Sequence, residues 1–227
     1  MNQIVTRGIV LRRINYGEAD RIVVYLTPDQ GKISLMVKGV RKPKSKLAGS
    51  IELFGESQIT LILGRGDIGN LVSARLIQNY SFISKDLSRT NCGYKIIQLV
   101  NKHLEVSAGS EFYELVKQSY DSLNDLKIDL RITQIWFGLN FLDIMGHQPI
   151  LVVKELNAGT NSYSFNLDSM EFIEDPDGVY SKNDIKYLRL VLSNKPKFLS
   201  QIRIIDDTLD HLSGLLTLMM GRSGFEY

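Results

Sequence analysis

The apolar residues of this chain change their spacing once, and that change limits what it can fold into. Up to Ser81 they come in short runs, IVTRGIVLRRI, RIVVYLT, KISLMVKGV, ESQITLIL and LVSARLI, interrupted by turn chemistry in NYGEAD, PDQG and GRGDIGN. Within Lys32–Lys38, Ile33, Leu35 and Val37 alternate with Ser34, Met36 and Lys38, the two-residue period of a strand with one buried face. Short segments between such runs suit hairpins. Five antiparallel strands in about 80 residues predict a small closed barrel, because closure removes exposed strand edges.

From about Asp86 the period becomes helical. Phe112, Leu115, Val116, Ser119, Tyr120 and Leu123 fall at i, i+3, i+4 spacing. So do Ile132, Ile135, Trp136, Leu139 and Leu142, and later Ile205, Leu209, Leu212, Leu216 and Met219. Between the second and third sets, Gln148–Gly178 is rich in Asn, Ser, Gly and Asp, and SYSFNLDSMEFI alternates like a short hairpin. Ser181 with Asp184 reads as an N-cap and capping-box variant opening a further helix. The expected class is α+β, strands first and helices after: a barrel over 1–80 packed on a helical domain over 81–227, with the hairpin insertion at about 148–178.

Charge follows the same division. The first 80 residues hold 12 Lys and Arg against 6 Asp and Glu, and the remainder 15 against 19. The overall +2 therefore conceals a basic front and a mildly acidic back. Five cations, Lys38, Arg41, Lys42, Lys44 and Lys46, fall within nine residues that contain no acid. Such a cluster points to a polyanionic partner for the front segment. A solvated basic loop is the plainer reading of the same residues.

Composition excludes several classes. One cysteine, Cys92, rules out an intrachain disulfide and a cysteine-rich zinc site, and fits a reducing compartment. MNQIVTRGIV lacks the pattern of a signal peptide, and no apolar run approaches the roughly 20 residues that span a bilayer. A cytoplasmic protein with no membrane partner is expected.

Catalytic motifs fare poorly. Gly64, Gly66 and Gly69 form a literal G-x-G-x-x-G, but NLVSARLI after them carries strand rather than helix chemistry, so a hairpin turn is expected. His103, His147 and His211 lack mutual metal-ligand spacing. Asp206 and Asp210 sit one turn apart beside His211, yet acids in a first helical turn complement its dipole. No catalytic residue, metal or cofactor is assigned.

The segment GIVLRRINYGEADRIVVYLTPDQGKISLMVKGVRKPKSKLAGSIELF, followed by GRGDIGNL, resembles the amino-terminal region of the bacterial recombination mediator family RecO. The matching features are Gly17-Glu18-Ala19-Asp20-Arg21, Thr27, Gly31 and Lys38-Gly39 ahead of the basic loop. Ser45, Leu47-Ala48-Gly49, Phe54 and Gly64-Arg65-Gly66 complete them. The likeness covers the first third strongly; the helical remainder agrees in order and length. It implies an OB-fold followed by a helical domain, with no enzymatic site. It also implies binding to single- and double-stranded DNA, to the tail of the single-strand-binding protein SSB and to RecR, annealing of SSB-coated strands, and indirect help to RecA, at the nucleoid. Many members carry four cysteines that bind zinc in the helical domain; here the Gln148–Gly178 insertion has none, and Tyr163, Phe165, Leu167 and Phe172 are expected to staple it instead.

The residues then divide by role. Lys38, Arg41, Lys42, Lys44 and Lys46 are the expected phosphate contacts, extended by Arg12 and Arg21, with Arg13 beside them. Glu18 or Asp20 are the acids available to pair with these arginines. Tyr16 and Tyr25 are candidates for base stacking, although packing is the commoner role of a strand tyrosine. An SSB tail ends in acids followed by an apolar residue, so its receptor needs cations beside an apolar surface; Lys95, Lys102, Lys117 and Arg131 are the candidates, in a fragment from about Lys85 onward. An OB-fold RNA-binding or translation-associated module is the alternative, and an enzyme using Asp206–His211 a more distant one.

Overall fold

A computed structural model of the chain describes residues 3–64, 66–104, 109–152 and 162–226. They form two compact units, Met1–Asn124 and Asp125–Tyr227.

The first unit begins with five strands, β1 (Gln3–Tyr16), β2 (Asp20–Thr27), β3 (Gly31–Val37), β4 (Gly55–Ile62) and β5 (Ile68–Asn79). They close into a barrel in the order β1-β2-β3-β5-β4, with β4 returning to β1. Four of the five pairings are antiparallel; β3 and β5 run parallel over Ser34–Met36 and Ile68–Asn70, which the expectation of an all-antiparallel barrel did not include. The basic segment explains the difference: β3 and β4 are joined by a long connection rather than a hairpin, so β5 reaches β3 from the far side of β4. Gly64 and Gly66 lie in the β4–β5 connection, a hairpin as expected, and Gly69 is already in β5.

β1 serves two neighbours. Gln3–Ile9 pair with β4, Ile9–Tyr16 pair with β2, and the register shifts between Val10 and Arg12. The extra residue bends the strand, as bulges do at barrel corners, and leaves Ile9, Val10 and Leu11 buried in succession. Inside the barrel, Val10, Val23, Tyr25, Leu35, Val37, Ile59, Leu61 and Leu71 pack together. Gly8 admits the Tyr25 ring: a Cβ there would lie 2.8 Å from Tyr25 Cδ1.

Two helices, α1 (Leu87–His103) and α2 (Ser110–Leu123), belong to this same unit. The change of periodicity near residue 80 marks the end of the barrel, whereas compactness divides the chain after Asn124. Phe54 is the wedge between barrel and helices, meeting Tyr94 and Tyr120 edge-on at centroid distances of 5.3 and 5.6 Å. Tyr113 on α2 donates its hydroxyl to Glu56 Oε1 at 2.7 Å, and Lys32 on β3 donates to the Asn101 carbonyl near the end of α1.

The second unit contains α3 (Leu130–Ile144), β6 (Ser162–Asn166), β7 (Glu171–Glu174), β8 (Tyr180–Ser181), α4 (Lys182–Ser193), α5 (Pro196–Leu199) and α6 (Asp206–Arg222). α3 is its centre, buried at Ile132, Ile135, Trp136, Phe137, Leu139, Phe141 and Leu142. Gly138 lets α6 approach, since a Cβ there would lie 2.6 Å from Leu216 Cδ2. The hairpin forms where the alternation places it, with β6 paired to β7 and to β8. Its aromatic staple is Phe165 on Phe172, 4.8 Å apart, and Phe172 on Tyr180, 5.6 Å apart. Tyr163 is buried, while Leu167 lies beyond β6 and is half-buried. Ser181 and Asp184 form the capping box that starts α4. The part of the expected insertion over 153–161 lies outside the described residues.

Candidate nucleic-acid interface

The basic segment is folded, and its fold follows from its few non-cationic residues. β3 ends at Val37, and Gly39 turns the chain with φ of 66°, a conformation that favours glycine. The Gly39 N–H donates to Asp20 Oδ1 at 2.7 Å, and the Arg41 N–H donates to the Ala19 carbonyl at 2.9 Å. The Arg41 guanidinium reaches the Gly17 carbonyl at 3.0 Å. The connection is thus clasped to the β1–β2 turn. Val40 and Ile51 enter the barrel core, with Leu47 and Ala48 packed against it. Burying such side chains stabilises by about 1.5–3 kcal/mol each, enough to hold the loop against the barrel end.

Pinning the apolar residues leaves the cations outside. Lys38, Arg41, Lys42, Lys44 and Lys46 are all exposed, and none pairs with an acid among the described residues. Asp20, expected as a partner for the neighbouring arginines, is instead the acceptor for Gly39. Arg13 pairs with Glu52, and Arg21 donates through Nε to Asn15 Oδ1 at 3.1 Å.

Strand register sorts the remaining candidates by face. The row that carries Val23, Tyr25 and Leu35 inward leaves the alternate row outward: Arg12 and Ile14 opposite Val24 and Ile22, and these opposite Ser34 and Met36. Tyr16, 55% exposed, and Lys38 continue that outer row at the end nearest the basic connection. Arg21 belongs to the inward parity and sits where β2 leaves its first turn. The outer face therefore offers Tyr16, half-buried aliphatic side chains and flanking cations beside the basic connection.

Tyr25 must be withdrawn as a stacking residue. It is 0% exposed inside the barrel, and burial pushes its phenol well above the ordinary range. The sequence could not tell this, because both parities of RIVVYLT are apolar.

The four tail-binding candidates are divided between the two units. Lys95 and Lys102 lie on α1 and Lys117 on α2, in the first unit, whereas Arg131 lies in the second. Lys117 pairs with Asp121 at 3.2 Å. Arg131 is committed to Asp129, Asp206 and Asp210 at 2.6, 2.6 and 2.9 Å, hydrogen bonds that raise its pKa far above the usual value. The same pairings occupy the two carboxylates that a metal at Asp206–His211 would need.

Residues 1–80 match the family described as Recombination protein O N terminal. The chain is 29% identical to the DNA repair protein RecO of Acetivibrio thermocellus, the match covering 93% of this chain and 88% of that one. It is 29% identical to the DNA repair protein RecO of Dehalococcoides mccartyi, over 91% and 85% of the two chains. The likeness to RecO proteins thus runs over nine-tenths of the chain and is joined by the family match of its first 80 residues. Several residues that carry the RecO likeness have structural work. Asp20 and Gly39 clasp the connection, Phe54 joins barrel to helices, and Thr27 closes the β2–β3 turn, its hydroxyl donating to the Gly31 carbonyl at 3.0 Å and accepting from the Gln30 N–H. The cations beside them lack such roles, apart from Arg41.

Proposed function

We propose that the chain acts in DNA repair as a recombination mediator, binding single- and double-stranded DNA through the barrel and its basic connection. The observation that carries this reading is the five exposed cations on a segment whose apolar residues are anchored in the barrel core. Cations held in place neutralise phosphates and release counterions without reading sequence. Tyr16 on the adjoining outer face supplies a surface on which an unpaired base can stack. The mechanism is binding and strand presentation: annealing of SSB-coated strands and, with RecR, assistance to RecA loading in the bacterial cytoplasm, without a chemical step.

The test is annealing of complementary strands pre-coated with cognate SSB. Acceleration by the chain, lost when Lys42 and Lys44 are both replaced by Ala, supports the reading. Equal or tighter binding to RNA of the same sequence, with no annealing of coated DNA, would favour an RNA-binding module instead.

A further inference from the structure

We infer that the cleft between β1 and α1 receives an unpaired base of the bound strand, next to the phosphates held at the barrel face. The inference rests on the DNA-binding reading above and adds to it a site that the basic connection does not contain.

The cleft has a volume of about 420 Å³, within the roughly 300–1,000 Å³ typical of small-ligand sites. Its floor is apolar, from Leu53 and Ile97. Tyr94 lines it, 42% exposed, and its edge contact with Phe54 fixes the ring's orientation. An exposed aromatic ring with a fixed orientation is what base stacking requires, since no ordering cost is left to be met on binding. Gln98 and Asn101 line the cleft as well, and their carboxamides make no hydrogen bond to a described residue. A carboxamide offers a donor and an acceptor side by side, which matches the edge of a base.

Arg12 connects this cleft to the proposed DNA path, because it belongs both to the outer row of β1 and to the cleft wall. Its guanidinium has no partner among the described residues, whereas Arg13 on the same wall is matched by Glu52. One unmatched cation, one aromatic ring and two carboxamides fit one phosphate and its base. An acidic peptide would bring several carboxylates to a wall with a single free cation.

The full chain is bound to a single-stranded oligonucleotide carrying 5-iodouracil and irradiated, and the cross-linked residue is identified by mass spectrometry. Cross-linking at Tyr94 is expected. Tyr94→Leu should weaken single-strand binding by at least about fivefold without changing its salt slope, as loss of stacking but not of a phosphate contact predicts. Gln98→Ala, at an exposed helix position that leaves the fold intact, should weaken binding in the same sense. Cross-links confined to Tyr16 and the barrel face, with both variants binding as tightly as the unmodified chain, would overturn the inference while leaving the DNA-binding reading in place. Failure of the unmodified chain to bind single strands would overturn both. A peptide of aspartates ending in phenylalanine that loses binding in both variants, while DNA affinity is unchanged, would give the cleft to a protein partner and overturn the inference.

Discussion

A Cβ placed on Gly93 would lie 2.7 Å from Phe54 Cε1. Phe54 itself has φ of 59°, a left-handed conformation unusual outside glycine, in the segment that leads from the basic connection into β4. The strain there, about 1–3 kcal/mol, is offset by burial of the ring against α1 and by its edge contacts with Tyr94 and Tyr120. Barrel and helix are therefore one stability unit. Gly93→Ala should destabilise the chain by about 1–3 kcal/mol, as overpacking generally does. Urea unfolding checks it; a second expectation is that amide hydrogen exchange reports the same midpoint for the barrel strands and α1. Separate midpoints would contradict the single unit.

The basic connection should behave as a set of phosphate contacts. If its five cations each meet a phosphate, they contribute about −3.5 to the log–log salt slope for single-strand binding, from roughly −0.7 per contact. Replacing Lys42 and Lys44 with Ala should flatten it by about 1.4. Neither side chain packs into the barrel, so the melting temperature should stay put. A slope unaffected by the double substitution would make the connection a solvated bystander.

Gly39 and Asp20 should matter through the loop's shape rather than its charge. Gly39→Ala forces a Cβ into φ of 66° and should cost about 1–2 kcal/mol. Asp20→Asn keeps an acceptor for the Gly39 N–H and removes a negative charge beside the cations, so DNA affinity should rise slightly. Asp20→Ala removes the acceptor and should lower the melting temperature instead. Identical thermal behaviour of the two Asp20 variants would show that the clasp is not what holds the connection.

Arg131 is expected to be structural. Its pairing with Asp129, Asp206 and Asp210 ties the start of α3 to the start of α6. The acids are largely exposed, so the network is worth at most about 1 kcal/mol and should weaken with added salt. Arg131→Ala should lower stability by that order at low ionic strength, less at high, and leave binding of an SSB tail peptide unchanged. A loss of tail binding with unchanged stability would restore Arg131 as a partner contact.

What the sequence disclosed follows from how local each determinant is. Alternation in KISLMVK, the turn after β4 and the Ser181–Asp184 box depend on neighbours in the chain, and all three are in the structure. The bulge at Val10 and Arg12 depends on β1 meeting two strands, and nothing in GIVLRRI announces it. α1 leaves little mark in the sequence because Ser88, Thr90, Asn91 and Gly93 are weak helix formers, and packing on Phe54 overrides them. The placement of α1 and α2 with the barrel rests on contacts dozens of residues apart, such as Phe54 with Tyr120 and Glu56 with Tyr113. The cation cluster was legible because charge density is local; which tyrosine faces outward was not, because that required the register.

The hairpin of the second unit provides the last test, since its closure is expected to rest on aromatic packing rather than on a metal. A structural zinc site needs four ligands, usually thiolates and imidazoles. The one thiol, Cys92, is buried in α1, and the described residues include no group of three or more His, Cys, Asp or Glu placed to hold a metal. The hairpin is held instead by Phe165 on Phe172 and Phe172 on Tyr180. Its turn is tied to α6 by Arg222, which donates to Asp168 Oδ1 at 2.9 Å. Phe172 is almost fully buried and Phe165 only half, so Phe172→Ala should destabilise by about 3–5 kcal/mol and Phe165→Ala by less. A double-mutant cycle between them should return a coupling of about 0.5–1.5 kcal/mol, the contribution of an edge-to-face pair beyond its buried area. Chelator should leave the melting temperature of the unmodified chain where it was. Stoichiometric zinc in the purified protein, or a chelator-induced loss of fold, would show that aromatic packing is not what closes the hairpin.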